Sequence, residues 1–334
     1  QSWEQHVLGN MPELKKAGFD TTLILETMNL FQKDSDSFKD LFAAYDFQQR
    51  LVKNADGTID MIEIDNELDG QTGKITPDDY AAYLKAMFIS NADTGGKMKM
   101  SMVSLCLDTD NLFNEGLRLN RAMDYTDIYN FHAHTTFTEK DKILGIRKNY
   151  VEENMEAKMK STNRDIPFWL TEAGIYILLE DGRSELTVAQ LKDQARYLTT
   201  ATVEALSLGV DKVFWFIWPK YIENNQEMGT FDINGNPNAA YQAEAICSYM
   251  LGKGEYKGII ESSDINGHVF DNGKNDVMVL WTDAPQTYEI KTDKPVTVTD
   301  MMGQSSVMQP TDGKVCVDAA YYPIYVTLDG RLDE

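Results

Sequence analysis

The chain has 334 residues, of which 43% are hydrophobic and 25% are charged, and its net charge at pH 7 is −22. This length is enough for one large domain followed by a small one. The strongly negative charge argues against nucleic acid or an anionic membrane surface as a partner, because phosphates need Lys and Arg to neutralise them. A neutral substrate is compatible with it.

The cysteines and the apolar segments narrow the class of protein further. Cys106, Cys247 and Cys316 are far apart and form no CxxC, so no disulfide framework or zinc knuckle is predicted. No apolar run reaches the roughly 18 residues of a membrane span, so no membrane insertion is expected. The chain starts at Gln1, which we interpret as a removed signal peptide or a trimmed chain. It contains no Asn-x-Ser/Thr sequon, which weakens a eukaryotic secreted origin.

Helical and strand patterns alternate along residues 11–255. In chain order the predicted elements are a helix at 12–17, a strand at 21–25, a helix at 38–53, a strand at 59–64, a helix at 77–91, strands at 100–107 and 127–132, a helix at 150–160, a strand at 167–171, a helix at 186–208, a strand at 213–218 and a helix at 239–251. Such alternation predicts βαβ units around a parallel sheet.

The six predicted strands are short apolar runs, as expected for strands buried on both faces. A (β/α)8 TIM-type barrel needs eight strands, so we expect the N-terminal strands of the barrel to be missing from this chain. From about residue 257 the pattern changes to short alternating strands separated by turn residues, which predicts an antiparallel β-sandwich. The predicted domains are therefore a catalytic barrel at 1–256 and a β-sandwich at 257–334.

Two glutamates follow predicted buried strands. Glu67 comes just after one, in IEIDNELDG, and Glu172 ends another, in PFWLTEAG. Because the carboxyl ends of barrel strands meet on one face, we expect the two carboxyls to face each other about 5–5.5 Å apart. Glycoside hydrolysis uses such a pair, with one carboxyl protonated to expel the leaving sugar and the other ionised.

These segments resemble clan A glycoside hydrolases. Asn66-Glu67 looks like the Asn-Glu pair that ends strand four of that clan, and the segment 171–174 (TEAG) resembles the end of strand seven. Counting backwards from VFWFIW as strand eight places Glu172 on strand seven and Glu67 on strand four. The segment GTFDINGNPNAAY is similar to the loop and helix after strand eight, and the terminal β region resembles the domain appended to many such enzymes.

The resemblance implies roles for these residues. Glu67 would be the acid/base, Glu172 the nucleophile of a retaining mechanism, and Asn66 a ligand of the sugar 2-hydroxyl. It implies no cofactor, a carbohydrate substrate and a bacterial periplasmic or extracellular location. Two departures blur the family, namely Leu68 where many relatives have proline and Asp65 where an aromatic or glycine is common. The arginine that the clan places near the nucleophile has no counterpart that we find.

His132 and His134 form an H-x-H at the end of the predicted strand 127–132, which is strand six when VFWFIW is counted as strand eight, and residues two apart on a strand point to the same face. The resemblance implies a sugar-binding pair at the barrel mouth. The alternatives are a structural role and a metal pair, which would need further ligands. Trp218 is our choice for a platform that stacks on a sugar ring, Tyr176 is a weaker candidate, and Trp215 is predicted to pack in the core.

The sequence thus predicts a retaining glycoside hydrolase that cleaves O-glycosidic bonds of an oligo- or polysaccharide. Two alternative functions remain open. One is a non-catalytic carbohydrate-binding barrel, and the other is a metal-dependent barrel hydrolase that uses His132 and His134. The sequence leaves the sugar, exo or endo action and the oligomeric state undetermined.

Overall fold

A computed structural model describes residue 9 and residues 11–25, 40–70, 75–107, 110–136, 148–180, 182–252 and 254–328. The chain divides into two compact units. The first consists of residues 1–132 and 149–171, and the second of residues 133–148 and 172–334. The predicted domain boundary at 256/257 is a different division, and it stays a prediction.

The first unit alternates strands and helices in the predicted order. Its elements are α1 (Met11–Lys16), β1 (Thr22–Leu25), α2 (Leu41–Ala55), β2 (Met61–Ile64), α3 (Pro77–Thr94), β3 (Lys99–Ser101), α4 (Leu112–Leu119), the start of β4 (Tyr129–Thr136), α5 (Lys148–Ser161, from its second residue) and the start of β5 (Phe168–Leu178).

Local sequence explains where the longest helix of the first unit begins and ends. Pro77 is its first residue, and the Thr76 hydroxyl caps it by accepting a hydrogen bond from the Asp79 backbone N–H at 3.1 Å. Gly95 ends α3 with a φ of 72°, a left-handed conformation that glycine adopts at no steric cost. The predicted start of this helix at residue 77 is confirmed, and the helix continues three residues past its predicted end at residue 91.

Strands β1, β2 and β3 form a parallel sheet with β2 in the middle. Every residue of β2 is buried. Parallel bridges continue the arrangement from the β3 region to β4, with Ser101 opposite Ile128 and Leu105 opposite Phe131. The carboxyl ends of these strands therefore meet at one edge, where ligand sites of parallel α/β proteins lie.

The second unit contains the ends of β4 and β5, then α6 (Val188–Ser207), β6 (Lys212–Trp215), the hairpin β7 (Ile222–Glu223) and β8 (Gln226–Glu227), and α7 (Ala239–Leu251). Eight antiparallel strands follow: β9 (Glu255–Ile259), β10 (Asn266–Asp271), β11 (Asp276–Trp281), β12 (Gln286–Lys291), β13 (Val296–Asp300), β14 (Ser305–Met308), β15 (Lys314–Ala319) and β16 (Ile324–Leu328).

These eight strands form a six-stranded sheet in the order β14-β13-β16-β11-β10-β9 and a two-stranded sheet of β12 and β15. One apolar cluster joins Met278 and Val326 of the large sheet to Ile290 and Val317 of the small one. A second cluster packs the large sheet against α6 and α7. The predicted β-sandwich is confirmed, with β14 as a strand that the sequence reading missed.

Four predicted strand ends were wrong. The strand predicted to end at residue 107 ends at Ser101, because only isolated bridges form beyond it, and β4 continues past its predicted end at residue 132 to Thr136. Strand β5 continues past Glu172 to Leu178, because its last two residues pair antiparallel with the β8 strand. Strand β6 ends at Trp215, so Trp218 lies in the following loop, after a cis peptide bond between Phe216 and Ile217. Among the described residues, no helix combines the length and the apolar character that crossing a membrane requires.

Candidate active site

The predicted acid/base lies in a tightly bent loop after β2. Asp65 and Glu67 both have positive φ angles, 65° and 49°. Residues other than glycine rarely adopt a positive φ angle, and such backbone strain is concentrated at functional sites. Asp69 anchors the loop from the other side, because its buried carboxylate accepts backbone hydrogen bonds from Cys106 at 3.1 Å and Leu107 at 2.9 Å. Glu67 is thus held in a fixed turn.

Glu67 is hydrogen-bonded to a buried histidine. His132 Nδ1 lies 2.8 Å from Glu67 Oε1, and the Glu67 side chain is 34% exposed while that of His132 is fully buried. The other ring nitrogen, Nε2, lies 3.7 Å from Oε1 of Glu63 on β2. A partly exposed carboxyl that contacts a buried imidazole can give and take a proton at the surface of the site. The sequence reading predicted Glu67 and His132 but missed Glu63.

Asn66, the predicted ligand of the sugar 2-hydroxyl, lies in the same loop. Its Oδ1 accepts a hydrogen bond from the Ser104 hydroxyl at 3.3 Å, and the two residues form a parallel backbone bridge. This contact orients the amide, and the role of Asn66 toward a sugar stays a prediction.

The predicted nucleophile belongs to the second unit, where it also contacts a histidine. His134 Nε2 lies 3.2 Å from Glu172 Oε2, and the two side chains are 14% and 15% exposed. Glu67 and Glu172 lie in different compact units, so the predicted pairing of their carboxyls stays a prediction. Within each unit, a glutamate and a histidine from alternate positions of β4 form a pair.

Gly174 leaves room for the His134 ring of the His134–Glu172 pair. A Cβ at this position would lie 2.7 Å from the Phe216 backbone oxygen and 3.1 Å from His134 Nδ1. Real Cβ atoms do not approach a backbone oxygen so closely, so only glycine fits without displacing a neighbour. The glycine of the TEAG segment therefore has a packing reason beside the histidine.

We predict that Gly174→Ala lowers the free energy of unfolding by about 1–3 kcal/mol, the usual cost of overpacking. The added methyl must push against a backbone oxygen or against the His134 ring. Thermal and denaturant unfolding of the variant measure the loss of stability. An alanine variant with wild-type stability would show that the contact relaxes freely.

Aromatic side chains surround the His134–Glu172 pair. The Tyr176 ring centroid is 5.3 Å from that of His134, and Phe216 packs edge-on at 5.7 Å. Trp218 is 45% exposed, and its ring lies nearly perpendicular to that of Tyr241. Trp215 instead packs against Tyr197, as predicted for a core residue.

A largely buried carboxyl contacts Trp218. Glu244 on α7 hydrogen-bonds the Trp218 side chain, and burial raises the pKa of this carboxyl to about 7. The indole N–H donates, since it has no acceptor site. The sequence reading missed this residue, and its only signal is an acidic side chain in the mostly apolar helix AAYQAEAICSYML.

We predict that the fluorescence of Trp218 titrates near pH 7 because its partner Glu244 ionises there. The folded state holds this proton above the pH at which the unfolded chain releases it. Stability should therefore fall as pH rises from the ordinary carboxyl pKa to about 7. Glu244→Gln should remove both effects. A fluorescence titration near pH 7 that persists in Glu244→Gln would assign it to another group.

The two histidine–glutamate pairs consist of side-chain types that also bind zinc. Zinc sites use three or four protein ligands, and each of these pairs supplies two side chains, which are joined by a hydrogen bond.

Comparison with known proteins identifies the fold. No family model matches the sequence, and no curated protein matches it either. Solved structures do match. A family 39 glycoside hydrolase from the gut symbiont Bacteroides cellulosilyticus WH2 has a TM-score of 0.75 and 14% identity over 97% of this chain and 71% of its own. A GH30 endoxylanase from Clostridium papyrosolvens C71 has a TM-score of 0.65 and 12% identity, covering 98% and 83%.

A family 51 α-L-arabinofuranosidase from Bifidobacterium longum also matches, with a TM-score of 0.62 and 12% identity over 97% of this chain and 79% of its own. The fold class is therefore the predicted one, a TIM-type α/β barrel followed by an antiparallel β domain. More particularly, it is the fold of clan A glycoside hydrolases, as the sequence motifs indicated.

Proposed function

We propose that this protein is a retaining glycoside hydrolase that cleaves O-glycosidic bonds by double displacement, with Glu172 as nucleophile and Glu67 as acid/base. One observation carries the proposal. His132 and His134, two residues apart on β4, each hold a different glutamate, at 2.8 Å and 3.2 Å. A histidine beside each glutamate suits carboxyls that exchange a proton or attack the substrate, which supports a separate catalytic role for each glutamate.

The two glutamates would do different work. In the first step the Glu172 carboxylate attacks the anomeric carbon, the glycosidic C–O bond breaks, and Glu67 gives its proton to the departing oxygen. In the second step Glu67 takes a proton from water, and the water oxygen displaces Glu172 from the anomeric carbon. The His134 ring is placed to donate a hydrogen bond to the carboxylate form of Glu172, which keeps it ready to attack.

Five side chains are proposed to bind the sugar: Asn66, His132, His134, Tyr176 and Trp218. Trp218 suits the stacking platform because it is a large aromatic that is 45% exposed in the loop after β6. Tyr176 lies beside the His134–Glu172 pair and fits a side wall of the same site. Asn66 precedes the acid/base and suits a hydrogen bond to the 2-hydroxyl.

A panel of 4-nitrophenyl glycosides tests the proposed function. The panel includes β-xylosides, β-glucosides and α-L-arabinofuranosides, since the structural neighbours are named a xylanase, a glucosidase and an arabinofuranosidase. Release of nitrophenolate by the wild type, and not by a Glu67→Gln/Glu172→Gln double variant, is the expected result. Oligosaccharide binding without turnover of any panel member would favour the non-catalytic rival. Activity that a chelator removes and zinc restores would favour the metal hydrolase.

We also propose that the protein acts outside the cytoplasm of a bacterium. One structural neighbour, with a TM-score of 0.64, is described as a conserved exported protein from Bacteroides fragilis. Fractionation of the source cells with an antibody against the chain tests this. Recovery in the periplasmic or extracellular fraction is expected, and recovery with the cytoplasm contradicts it.

A further inference from the structure

Glu63 is a carboxylate inside the parallel sheet of the first unit. It is the third residue of β2, and its side chain is completely buried. Within the part of the chain that the structure describes, neither of its oxygens has a hydrogen-bond partner. Burying a carboxylate in this way is costly unless an opposite charge or a proton offsets it. The group that faces it at ion-pair distance is His132, with Nε2 at 3.7 Å.

The polar side chain beside Glu63 in the sheet is hydrogen-bonded elsewhere. Glu63 aligns with the apolar Ile24 on one flanking strand and with Ser101 on the other. The Ser101 hydroxyl donates to Asn130 Oδ1 at 2.7 Å, and Asn130 in turn donates to the Thr171 hydroxyl. Ser101 is thus engaged elsewhere, while the His132 ring lies at ion-pair distance from Glu63.

Glu63, His132 and Glu67 therefore form a row. Nδ1 of the buried imidazole lies 2.8 Å from Glu67, and Nε2 lies 3.7 Å from Glu63. Water does not screen the inner part of this row, because both the imidazole and the Glu63 carboxylate are fully buried. A charge on Glu63 is consequently felt more strongly at the outer carboxyl than it would be in water.

We propose that Glu63 is a positioning residue for the acid/base, a buried negative charge that acts through His132 and keeps the His132–Glu67 pair protonated. This inference rests on the proposed function, because it assumes that Glu67 delivers a proton to the leaving group. Glu63 itself touches neither the substrate nor the reacting atoms.

The direction of the effect follows from charge alone. The proton in the 2.8 Å contact belongs to the pair, whichever atom carries it. Its loss adds one negative charge to the pair, and the like charge of Glu63 opposes that loss. In the first step the proton moves to the departing oxygen, and in the second a proton from water replaces it. Glu63 thus favours the protonated state of the His132–Glu67 pair, which is the state in which each catalytic cycle begins.

Other titratable groups of the first unit surround the row. Burial raises the pKa of Tyr80 on α3 well above its usual value, and burial also raises the pKa of the Cys106 thiol, so both stay neutral through the range of interest. Asp65 and Asp69 lie in the Glu67 loop and are unchanged by substitution of Glu63. A difference in the pH dependence of activity between the wild type and a Glu63 variant therefore reflects the change at Glu63 itself.

The test compares Glu63→Gln, which keeps the size and removes the charge, with the wild type across pH. The substrates are the phenyl and 2,4-dinitrophenyl glycosides of a sugar that the panel shows to be hydrolysed. For the phenyl glycoside, the basic limb of kcat/KM should move to lower pH by about one unit, a common effect of one nearby charge. At pH values above this limb, the shift lowers kcat/KM for the phenyl glycoside by about tenfold. The dinitrophenyl glycoside hardly needs the acid, so its kcat/KM should stay near the wild-type value.

Two control variants separate charge from packing. Glu63→Asp keeps the charge and should leave the limb near its wild-type position. Ser101→Ala disturbs the aligned neighbour without changing charge, and it should not move the limb. If Glu63→Gln fails to fold, ¹⁵N NMR of the wild-type histidines replaces it, since the proposal requires His132 Nε2 to remain protonated across the basic limb.

A basic limb unmoved in Glu63→Gln, an equal shift in Ser101→Ala, or an unprotonated His132 Nε2 would overturn the inference. These outcomes leave the proposed function intact, provided that Glu67→Gln loses activity on the phenyl glycoside. Full phenyl glycoside activity in Glu67→Gln would instead remove the proposed function, and this inference with it.

Discussion

Replacing Glu172 by glutamine is expected to abolish hydrolysis of activated and unactivated aryl glycosides alike. A neutral amide cannot form the glycosyl-enzyme bond, and no leaving group, however good, compensates for a missing nucleophile. We expect a loss in kcat on the order of 10⁴-fold or more, as for other variants that lack a nucleophile. Steady-state kinetics on the phenyl and 2,4-dinitrophenyl glycosides of one sugar measure it.

Glu180→Gln is the matched control for this variant. Glu180 lies just beyond the end of the same strand, and its exposed carboxylate is 3.4 Å from the Arg183 guanidinium. Exposed ion pairs contribute little to stability, so this variant should keep wild-type kinetics. Retention of activity in Glu172→Gln, or an equal loss in Glu180→Gln, would contradict the assignment of Glu172.

Replacing Glu67 by glutamine should give a loss that depends on the leaving group. The first step lacks its proton donor, so hydrolysis of the phenyl glycoside should fall by about 10²–10⁴-fold. Dinitrophenolate departs without protonation, so the first step should survive with that substrate. The second step lacks its base, and the glycosyl-enzyme should accumulate as a burst of dinitrophenolate followed by slow turnover.

Azide separates the two steps of the Glu67→Gln variant. This anion needs no general base, so it should attack the accumulated glycosyl-enzyme and restore turnover, with a glycosyl azide as product. Glu172→Gln should gain no such retaining product. Equal losses on both leaving groups in Glu67→Gln, with no effect of azide, would show that Glu67 is not the acid/base.

Much of the fold follows from local patterns in the sequence. All six strands predicted for the barrel region are present, because each is a short apolar run between turn residues. Helix α7 has the predicted bounds, since the Asn238 side chain caps its start and Gly252 follows its end. These features depend on residues close together in the chain.

The errors concern segments whose pairing partner is distant in the sequence. The strand through Glu172 was expected to end at that residue, but Ile177 and Leu178 pair with residues about 50 positions later, in β8. The hairpin of β7 and β8 was missed although it carries a signal. Asn224 and Asn225 both have positive φ angles, and paired asparagines favour a tight hairpin turn.

The candidate site was predictable only in part. Both glutamates and both histidines were predicted from motifs, yet the contacts between them join residues 65 and 38 positions apart and require the structure. Glu63 gave a weaker signal, an acidic residue inside the buried strand MIEI. Its meaning depends on the His132 ring that faces it, which no local pattern shows.

Trapping of the covalent intermediate tests the central claim most directly. The wild type is incubated with the 2-deoxy-2-fluoro 2,4-dinitrophenyl analogue of a glycoside that it hydrolyses. The fluorine slows both steps, and the activated leaving group lets the first proceed, so the glycosyl-enzyme accumulates. Peptide mass spectrometry should then find one fluoroglycosyl group on Glu172, and Glu180→Gln should be labelled likewise. A label on another residue, or no label together with product of inverted anomeric configuration, would contradict Glu172 as the nucleophile of a retaining enzyme.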